Sequence, residues 1–142
     1  MRRVLLSAVF AGVLGVASVA GPAGAEAPRS PAIETVIQSQ IEAFLAGDLD
    51  TAFTFASPGI KGMFRTPERF GEMVRSGYPM VWRPSEVRYL ELRAHPPGGM
   101  VQRVMIIDEA GRLHLLDYLM IERAGGWYIA GVQVLRGGAV GA

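Results

Sequence analysis

The sequence predicts an α+β domain, in which three N-terminal helices pack on a bent four-stranded antiparallel sheet after a cleaved signal peptide. Two stretches lead to this prediction. Residues 100–135 read as three apolar runs separated by two glycine-bearing turns, which is typical of a meander. Residues 31–77 carry apolar side chains at helical spacing. Because the helices come first and the strands follow one another, the order favours α+β over a parallel wound sheet.

The first turn of the meander predicts a strand register. Residues 109–111 form a three-residue loop with glycine last, where such a loop needs a positive φ. Closing the loop there places Gln102 opposite Tyr118 and Arg103 opposite Asp117. The Arg103–Asp117 pair is then expected to form a cross-strand ion pair.

The second turn, at residues 124–125, predicts the register of the last two strands. It places Met120 opposite Ile129 and Tyr118 opposite Gly131, where glycine leaves room beside the tyrosine ring. Side chains alternate along a strand, so the register sorts the meander into two faces. The face predicted to meet the helices carries Gln102, Val104, Ile106, His114, Leu116, Tyr118, Met120, Trp127, Ile129 and Gly131. The outer face carries Arg103, Met105, Ile107, Leu113, Leu115, Asp117, Leu119, Ile121, Tyr128, Ala130 and Val132.

The N-terminus has the pattern of a secretory signal. Two arginines, Arg2 and Arg3, precede an uncharged apolar run over residues 4–20, and Ala23-Gly24-Ala25 is a small-x-small cleavage site. The alternative is a membrane anchor, but a run of about 17 residues is short for a transmembrane helix. We therefore expect residues 1–25 to be a signal peptide, residues 26–30 a linker, and the mature protein to be periplasmic or secreted, with no membrane attachment.

Composition narrows the class of the mature protein. Residues 31–136 suit one α+β domain, and the glycine-rich residues 137–142 are expected to be a flexible tail. Without the two arginines of the signal, 12 basic residues face 13 acidic ones, a near-neutral balance that argues against nucleic-acid binding. The absence of cysteine excludes disulfides and zinc–thiolate sites.

The helical region is divided by cap residues and breakers. Three starts are predicted from a polar cap, which proline follows in two cases: Ser30-Pro31, Asp48 or Asp50, and Thr66-Pro67. Gly47 is expected to end the first helix, residues 57–59 to break the second, and Gly77 to end the third. Residues 78–84 are bracketed by prolines and are predicted to be an extended arm leading into a strand over residues 86–94. Within the arm, Tyr78, Trp82 and Arg83 could form the rim of a pocket, although a packed crossover is the preferred interpretation.

Residues spread over nearly the whole mature chain carry a family resemblance. They are Val36-Ile37, Gln40-Ile41, Ala43-Phe44, Ala52-Phe53, Phe55 to Ile60, Phe70, Met73-Val74, Tyr78-Pro79, Arg83-Pro84, Gln102 to Val104, Gly111, Tyr118, Gly126-Trp127 and Ile129 to Gly131. In these the chain resembles domain-of-unknown-function family 4864 of secreted bacterial proteins. The element order is similar to the cystatin-like fold group that includes nuclear transport factor and ketosteroid isomerase. The resemblance implies a fold and no activity.

The sequence provides weak grounds for catalysis. His114 and Asp117 would be the natural general base, but they are three residues apart on one strand and should point to opposite faces. His114 is instead expected at the rim or surface. The other histidine, His95, lies in a proline-rich loop, and no carboxylates have metal-ligand spacing. We therefore predict no catalytic residue, no metal and no cofactor.

Gln102 and Tyr118 are the stronger candidates for a functional pair. They face each other on the inner face, where an amide and a phenol either hydrogen-bond one another or line a pocket. The full set predicted to bind a ligand is Tyr78, Trp82, Tyr89, Gln102, Tyr118 and Trp127.

Three functions fit these observations. The first is a non-catalytic binding cup for a small, largely apolar ligand. The second is an interaction module, either a homodimer formed through the apolar outer face of the sheet or a partner docking on the arm. The third, less favoured, is an isomerase- or dehydratase-like enzyme, which would need an acid or a histidine inside the cup.

Overall fold

The computed structural model describes residues 28–135. Within them, five helices precede a four-stranded antiparallel sheet of strand order β1-β2-β3-β4. The elements are α1 Pro31–Leu45, α2 Leu49–Thr54, α3 Pro58–Phe64, α4 Pro67–Gly77, α5 Pro79–Trp82, β1 Pro84–His95, β2 Gly99–Asp108, β3 Leu113–Arg123 and β4 Gly126–Val134. The α+β class is confirmed, whereas the predicted signal peptide and tail lie outside the described residues.

Four of the helices begin at a side-chain cap. Ser30, Asp48, Ser57 and Thr66 each accept a hydrogen bond from the backbone N–H three residues later, at 3.1–3.3 Å. The predicted starts at Ser30, Asp48 and Thr66 are confirmed. The prediction of three helices is wrong, because residues 57–59 do not only follow the end of α2 but also start a further helix, α3, and residues 79–82 form α5.

The predicted extended arm is also wrong in part. Residues 79–82 form the helical turn α5, in which the N–H groups of Val81 and Trp82 donate to the Tyr78 carbonyl at 2.9 and 3.1 Å. The residues before the two prolines, Tyr78 and Arg83, do lie outside the helical region, with φ of −135° and −142°. Pro79 nevertheless suits the first helical position, since a proline there loses no hydrogen bond.

The register of the first hairpin is confirmed along its length. Gln102 pairs with Tyr118, and Arg103 pairs with Asp117. Gly111 adopts a φ of 81°, which the closing residue of the loop requires. Tyr118 and Asp117 therefore lie on opposite faces of the sheet, as predicted.

The register of the second hairpin changes within β4. Near the turn Met120 pairs with Ile129 as predicted, but Ala130 has no partner and Tyr118 pairs with Val132. The predicted pairing of Tyr118 with Gly131 is therefore wrong. The extra residue forms a β-bulge, which moves Val132 from the outer face to the face that carries Tyr118.

The helices cover one face of the sheet, and the core lies between them. Its largest fully buried side chains come from α1, β2 and β3: Ile33, Ile37, Ile41, Phe44, Gln102, Val104, Ile106, Leu116, Tyr118 and Met120. The segment between α2 and α3 is tied to β4, because Ser57 N–H donates to the Ile129 carbonyl and Ile129 N–H donates to the Phe55 carbonyl, both at 2.8 Å. This link holds α3 beside the bulged strand.

Candidate ligand-binding cavity

An apolar cavity of about 250 Å³ lies between the helical layer and β4. It begins where the bulge turns Val132 inward and extends towards α3 and α4. Its lining residues are Gln40, Phe44, Ala56, Ile60, Met63, Phe64, Phe70, Met73, Val74, Tyr78, Val81, Ile129, Gly131 and Val132. None of these side chains carries a charge.

Aromatic rings form one wall of the cavity. Phe70, on α4, stands at the centre of the cluster, with ring centroids 5.8 Å from Phe44, 5.4 Å from Phe53 and 5.9 Å from Phe64. All three pairs are tilted, an arrangement that aromatic rings favour over face-to-face stacking. Phe44, Phe64 and Phe70 line the cavity, and Phe53 packs behind them, so the cluster joins α1, α2, α3 and α4.

The side of the cavity next to α3 opens to solvent. Met63 lines the cavity although 70% of its surface is exposed, and Ile60 and Phe64 on the same helix are half-buried. Methionine adapts its shape to irregular apolar surfaces. Met63 therefore lies at the mouth, where a small molecule could enter.

Two polar side chains line the cavity, Gln40 and Tyr78. The Gln40 amide nitrogen donates to the Ala52 carbonyl at 3.1 Å. The Tyr78 hydroxyl donates to the Val132 carbonyl at 3.0 Å. Tyr78 thus links the α4–α5 junction to the bulge and closes one end of the cavity.

The predicted pair at the centre of the sheet is enclosed by protein. Tyr118 is 0% exposed and Gln102 is 1% exposed, and neither lines the cavity. The Gln102 amide nitrogen donates to the backbone carbonyls of Leu90 and Arg103 at 3.1 and 2.9 Å, next to an irregularity in the β1–β2 ladder. Among the described residues, neither Gln102 Oε1 nor the Tyr118 hydroxyl has a hydrogen-bond partner. The two side chains therefore do not hydrogen-bond each other.

The other predicted residues lie in three separate places. Of the six, Tyr78 alone lines the cavity. Tyr89 donates to Gln38 Oε1 at 3.0 Å beneath α1, where burial, with Glu34 and Glu42 nearby, raises its pKa to about 12. Trp82 lies 5.5 Å from the Phe44 ring, and Trp127 packs half-buried against the core.

His114 forms a pair that the sequence did not predict, with Asp108. Its Nε2 lies 2.9 Å from Asp108 Oδ2, and since a carboxylate only accepts, the imidazole donates. Asp108 also accepts from the N–H groups of Ala110 and Arg112, both at 2.9 Å. Hydrogen bonds from His114, and then from Arg112 and Ala110, hold the Asp108 pKa well below its usual value. Asp108 is thus a fixed anion that shapes the turn, and it is not a base at neutral pH.

Asp117 lies on the outer face between two arginines. Its oxygens accept from Arg103 Nε at 3.0 Å and from Arg93 at 2.7 Å, so the predicted ion pair with Arg103 is confirmed and a second arginine joins it. Burial alone would raise the Asp117 pKa, but the two arginines outweigh burial and hold it below its usual value. The carboxylate does not line the cavity.

Residues 28–135 include no group of three or more His, Cys, Asp or Glu side chains placed to hold a metal ion. In the same part of the chain, no helix is long and apolar enough to cross a bilayer.

A family model described as "Domain of unknown function (DUF4864)" matches residues 26–141. The chain belongs to this family. No curated protein matches the chain. The DUF4864 match covers every described residue, and it confirms the family resemblance drawn from the sequence. Since the DUF4864 description states no activity, the function has to be argued from the cavity.

One sequence signal could have located the cavity. Gln40 falls on the inward stripe of α1, next to the buried Ile37, Ile41 and Phe44. A polar side chain is uncommon there unless it has a hydrogen-bond partner or lines a site. The phenylalanines and methionines of the lining gave no such signal, because the same pattern also describes a filled core.

Proposed function

We propose that this protein binds a small, uncharged and largely apolar molecule in the cavity between α3, α4 and β4, without transforming it. The observation that carries the proposal is the lining, which is apolar except for Gln40 and Tyr78. Ligand sites in proteins have this composition, with few polar groups that orient the ligand.

The size of the cavity sets the size of the ligand. An engineered cavity of about 150 Å³ with an apolar lining holds one benzene molecule. The cavity here, at about 250 Å³, therefore suits a substituted single ring or a short branched chain. A charged ligand is disfavoured, because a charge would lose its hydration without meeting an opposite charge.

The same lining argues for binding without catalysis. Its only ionisable group is the Tyr78 phenol, whose proton is directed at the Val132 carbonyl. Acid–base catalysis near neutral pH needs a group that titrates there. Asp108, Asp117 and His114 are absent from the lining.

A pair of valine substitutions on β4 tests the cavity. Val132→Phe should fill it and weaken binding of 4-propyltoluene by tenfold or more, measured by calorimetry, while Val134→Phe should leave the affinity unchanged. Val132 lines the cavity, whereas Val134, two residues further along the strand, is exposed and does not. Equal binding by both variants would place the ligand elsewhere, and no binding to the native protein would refute a cavity of this specificity. Native mass spectrometry of the purified protein would detect a ligand that co-purifies.

A second candidate function is a homodimer formed through the outer face of the sheet. This face carries the half-buried apolar side chains of Met105, Ile107, Leu115, Leu119 and Ile121 around the Arg103–Asp117 pair. Contiguous apolar surface of this kind commonly marks an interface. Light scattering at micromolar concentration should then give twice the monomer mass, and a uniform monomer would contradict the dimer.

We further propose that the protein is periplasmic or secreted and that its fold belongs with the cystatin-like group. The apolar run after Arg2 and Arg3 supports export, and helices packed on one face of a consecutive antiparallel sheet support the fold group. The intact mass of protein recovered from the envelope fraction of a bacterial host tests export. Cleavage after Ala25 gives a chain that begins at Glu26, whereas a full-length mass in the cytosol would contradict it.

A further inference from the structure

The Gln40 side chain has a fixed orientation. Its amide nitrogen donates to the Ala52 carbonyl at 3.1 Å. Exchanging the amide nitrogen and oxygen would set two acceptors against each other, so the contact with Ala52 decides which atom is which. The carbonyl oxygen Oε1 therefore points away from Ala52.

That oxygen is an acceptor without a donor. Gln40 is 3% exposed and lines the cavity, and no group among the described residues donates to Oε1. Gln40 Oε1 is not one of the fully enclosed polar atoms without a partner, so it keeps surface that water or a ligand can reach. A ligand hydroxyl in the cavity can therefore replace water as its donor.

Tyr78 adds a second acceptor. Since its hydroxyl proton is committed to the Val132 carbonyl, its oxygen can only accept a further hydrogen bond. Both polar side chains of the lining therefore offer an acceptor oxygen, and the Tyr78 hydroxyl has no proton to spare.

We propose that the cavity selects molecules that carry one hydrogen-bond donor on an apolar body, namely alcohols or phenols, and that Gln40 Oε1 accepts the hydroxyl proton. This inference rests on the proposed binding function and specifies its ligand class. A protonated amine also donates, but the lining holds no carboxylate to balance its charge.

Three probes of similar shape separate the alternatives. 4-Propylphenol has a donor, 4-propyltoluene replaces the hydroxyl by a methyl group, and 4-propylbenzaldehyde has an acceptor alone. Calorimetry on the mature protein should show the phenol binding more tightly than the aldehyde, because only the phenol can donate a hydrogen bond to Gln40 Oε1.

The Gln40→Met variant keeps the length of the side chain and removes the acceptor. The preference for phenol over toluene should fall about five- to tenfold relative to the native protein, in line with one lost hydrogen bond. Binding of 4-propyltoluene should persist, which reports that the variant is folded and the cavity intact. Should Gln40→Met fail to fold, comparing the affinities of the phenol and the aldehyde for the native protein still tests whether the cavity prefers a hydrogen-bond donor.

The outcomes distinguish the two proposals. If phenol and aldehyde bind the native protein equally, or the phenol preference survives Gln40→Met, the donor inference is overturned while the cavity remains a binding site. If none of the three probes binds, the proposed function fails, and the donor inference fails with it.

Discussion

At the scale of single residues, the hydroxyls of a half-buried tyrosine, Tyr78, and a buried one, Tyr118, differ in their hydrogen-bond partners. The Tyr78 hydroxyl donates to Val132, whereas the Tyr118 hydroxyl has no hydrogen-bond partner among the described residues. Burial raises the pKa of the Tyr118 phenol far above its usual value, so it stays neutral. Removing each hydroxyl therefore compares the contribution to stability of a hydrogen-bonded tyrosine hydroxyl with that of one without a partner.

Tyr118→Phe should leave the free energy of unfolding unchanged or raise it by about 1 kcal/mol, because it removes a buried polar atom that makes no hydrogen bond. Tyr78→Phe should lower it by about 1 kcal/mol, because its hydrogen bond to Val132 is lost. Urea unfolding followed by circular dichroism measures both. A clear destabilisation by Tyr118→Phe would show that the hydroxyl has a partner.

Asp108 makes stability depend on pH in the acid range. The pKa of Asp108 is lower in the folded protein than the value of about 3.9 that an aspartate has in the unfolded chain. The ionised carboxylate therefore stabilises the fold fully above about pH 4, and this stabilisation is lost as the pH falls further. Thermal unfolding of the native protein should show a midpoint that drops below about pH 4. Asp108→Asn should lower the midpoint at pH 7 and flatten the acid decline. Glu109→Gln, an exposed change in the same loop, should leave both features in place.

At the scale of elements, the two hairpin turns show how far local sequence determines register. A glycine at the last position of the first turn and a two-residue second turn place the pairs nearest each turn correctly. The bulge at Ala130 was missed, although Gly131 beside it is a residue that often accompanies bulges. Gly131 was interpreted instead as leaving room for the Tyr118 ring. The sequence alone does not show whether a glycine within a strand marks a bulge or a close approach by another group.

The second turn also contains a strained residue. Ala124 adopts a φ of 52° and Gly125 a φ of 78°, the pattern of a type I′ turn, which favours Asn-Gly. Ala124→Asn should raise the free energy of unfolding by about 0.5 kcal/mol, since this region is costly for alanine and easier for asparagine. Ala110→Asn, in the first turn and without a positive φ, should bring no such gain. Equal effects at both positions in urea unfolding would point to a general effect of asparagine.

At the scale of the whole molecule, the sequence predicted the class and layering but not the cavity. Periodicity shows which side chains point inwards, and it placed Phe44, Phe70 and Val74 there correctly. Whether inward side chains meet or leave a space depends on how α3 and α4 lie against β4. That arrangement follows from the backbone link between the α2–α3 junction and Ile129, for which the sequence offers no local signal.

The outer face of the sheet gives a prediction for the assembled molecule. Leu115→Arg should convert the proposed dimer to a monomer, because it places an unpaired charge among the apolar side chains of the interface. Leu45→Arg, on an exposed position of α1, should leave the mass in light scattering unchanged. A dimer that survives Leu115→Arg would exclude this face as the interface. Circular dichroism confirms that each variant is folded.

The unpaired Ala130 makes the bulge in β4 a determinant of the binding site. Without the bulge, Ala130 would pair with Leu119 and Gly131 with Tyr118, so that Val132 would turn to the outer face of the sheet. The Val132 carbonyl would then leave the Tyr78 hydroxyl, and the cavity would lose a wall and a closing contact together. Relatives whose β4 pairs with β3 without this bulge would therefore keep the same architecture without the same ligand.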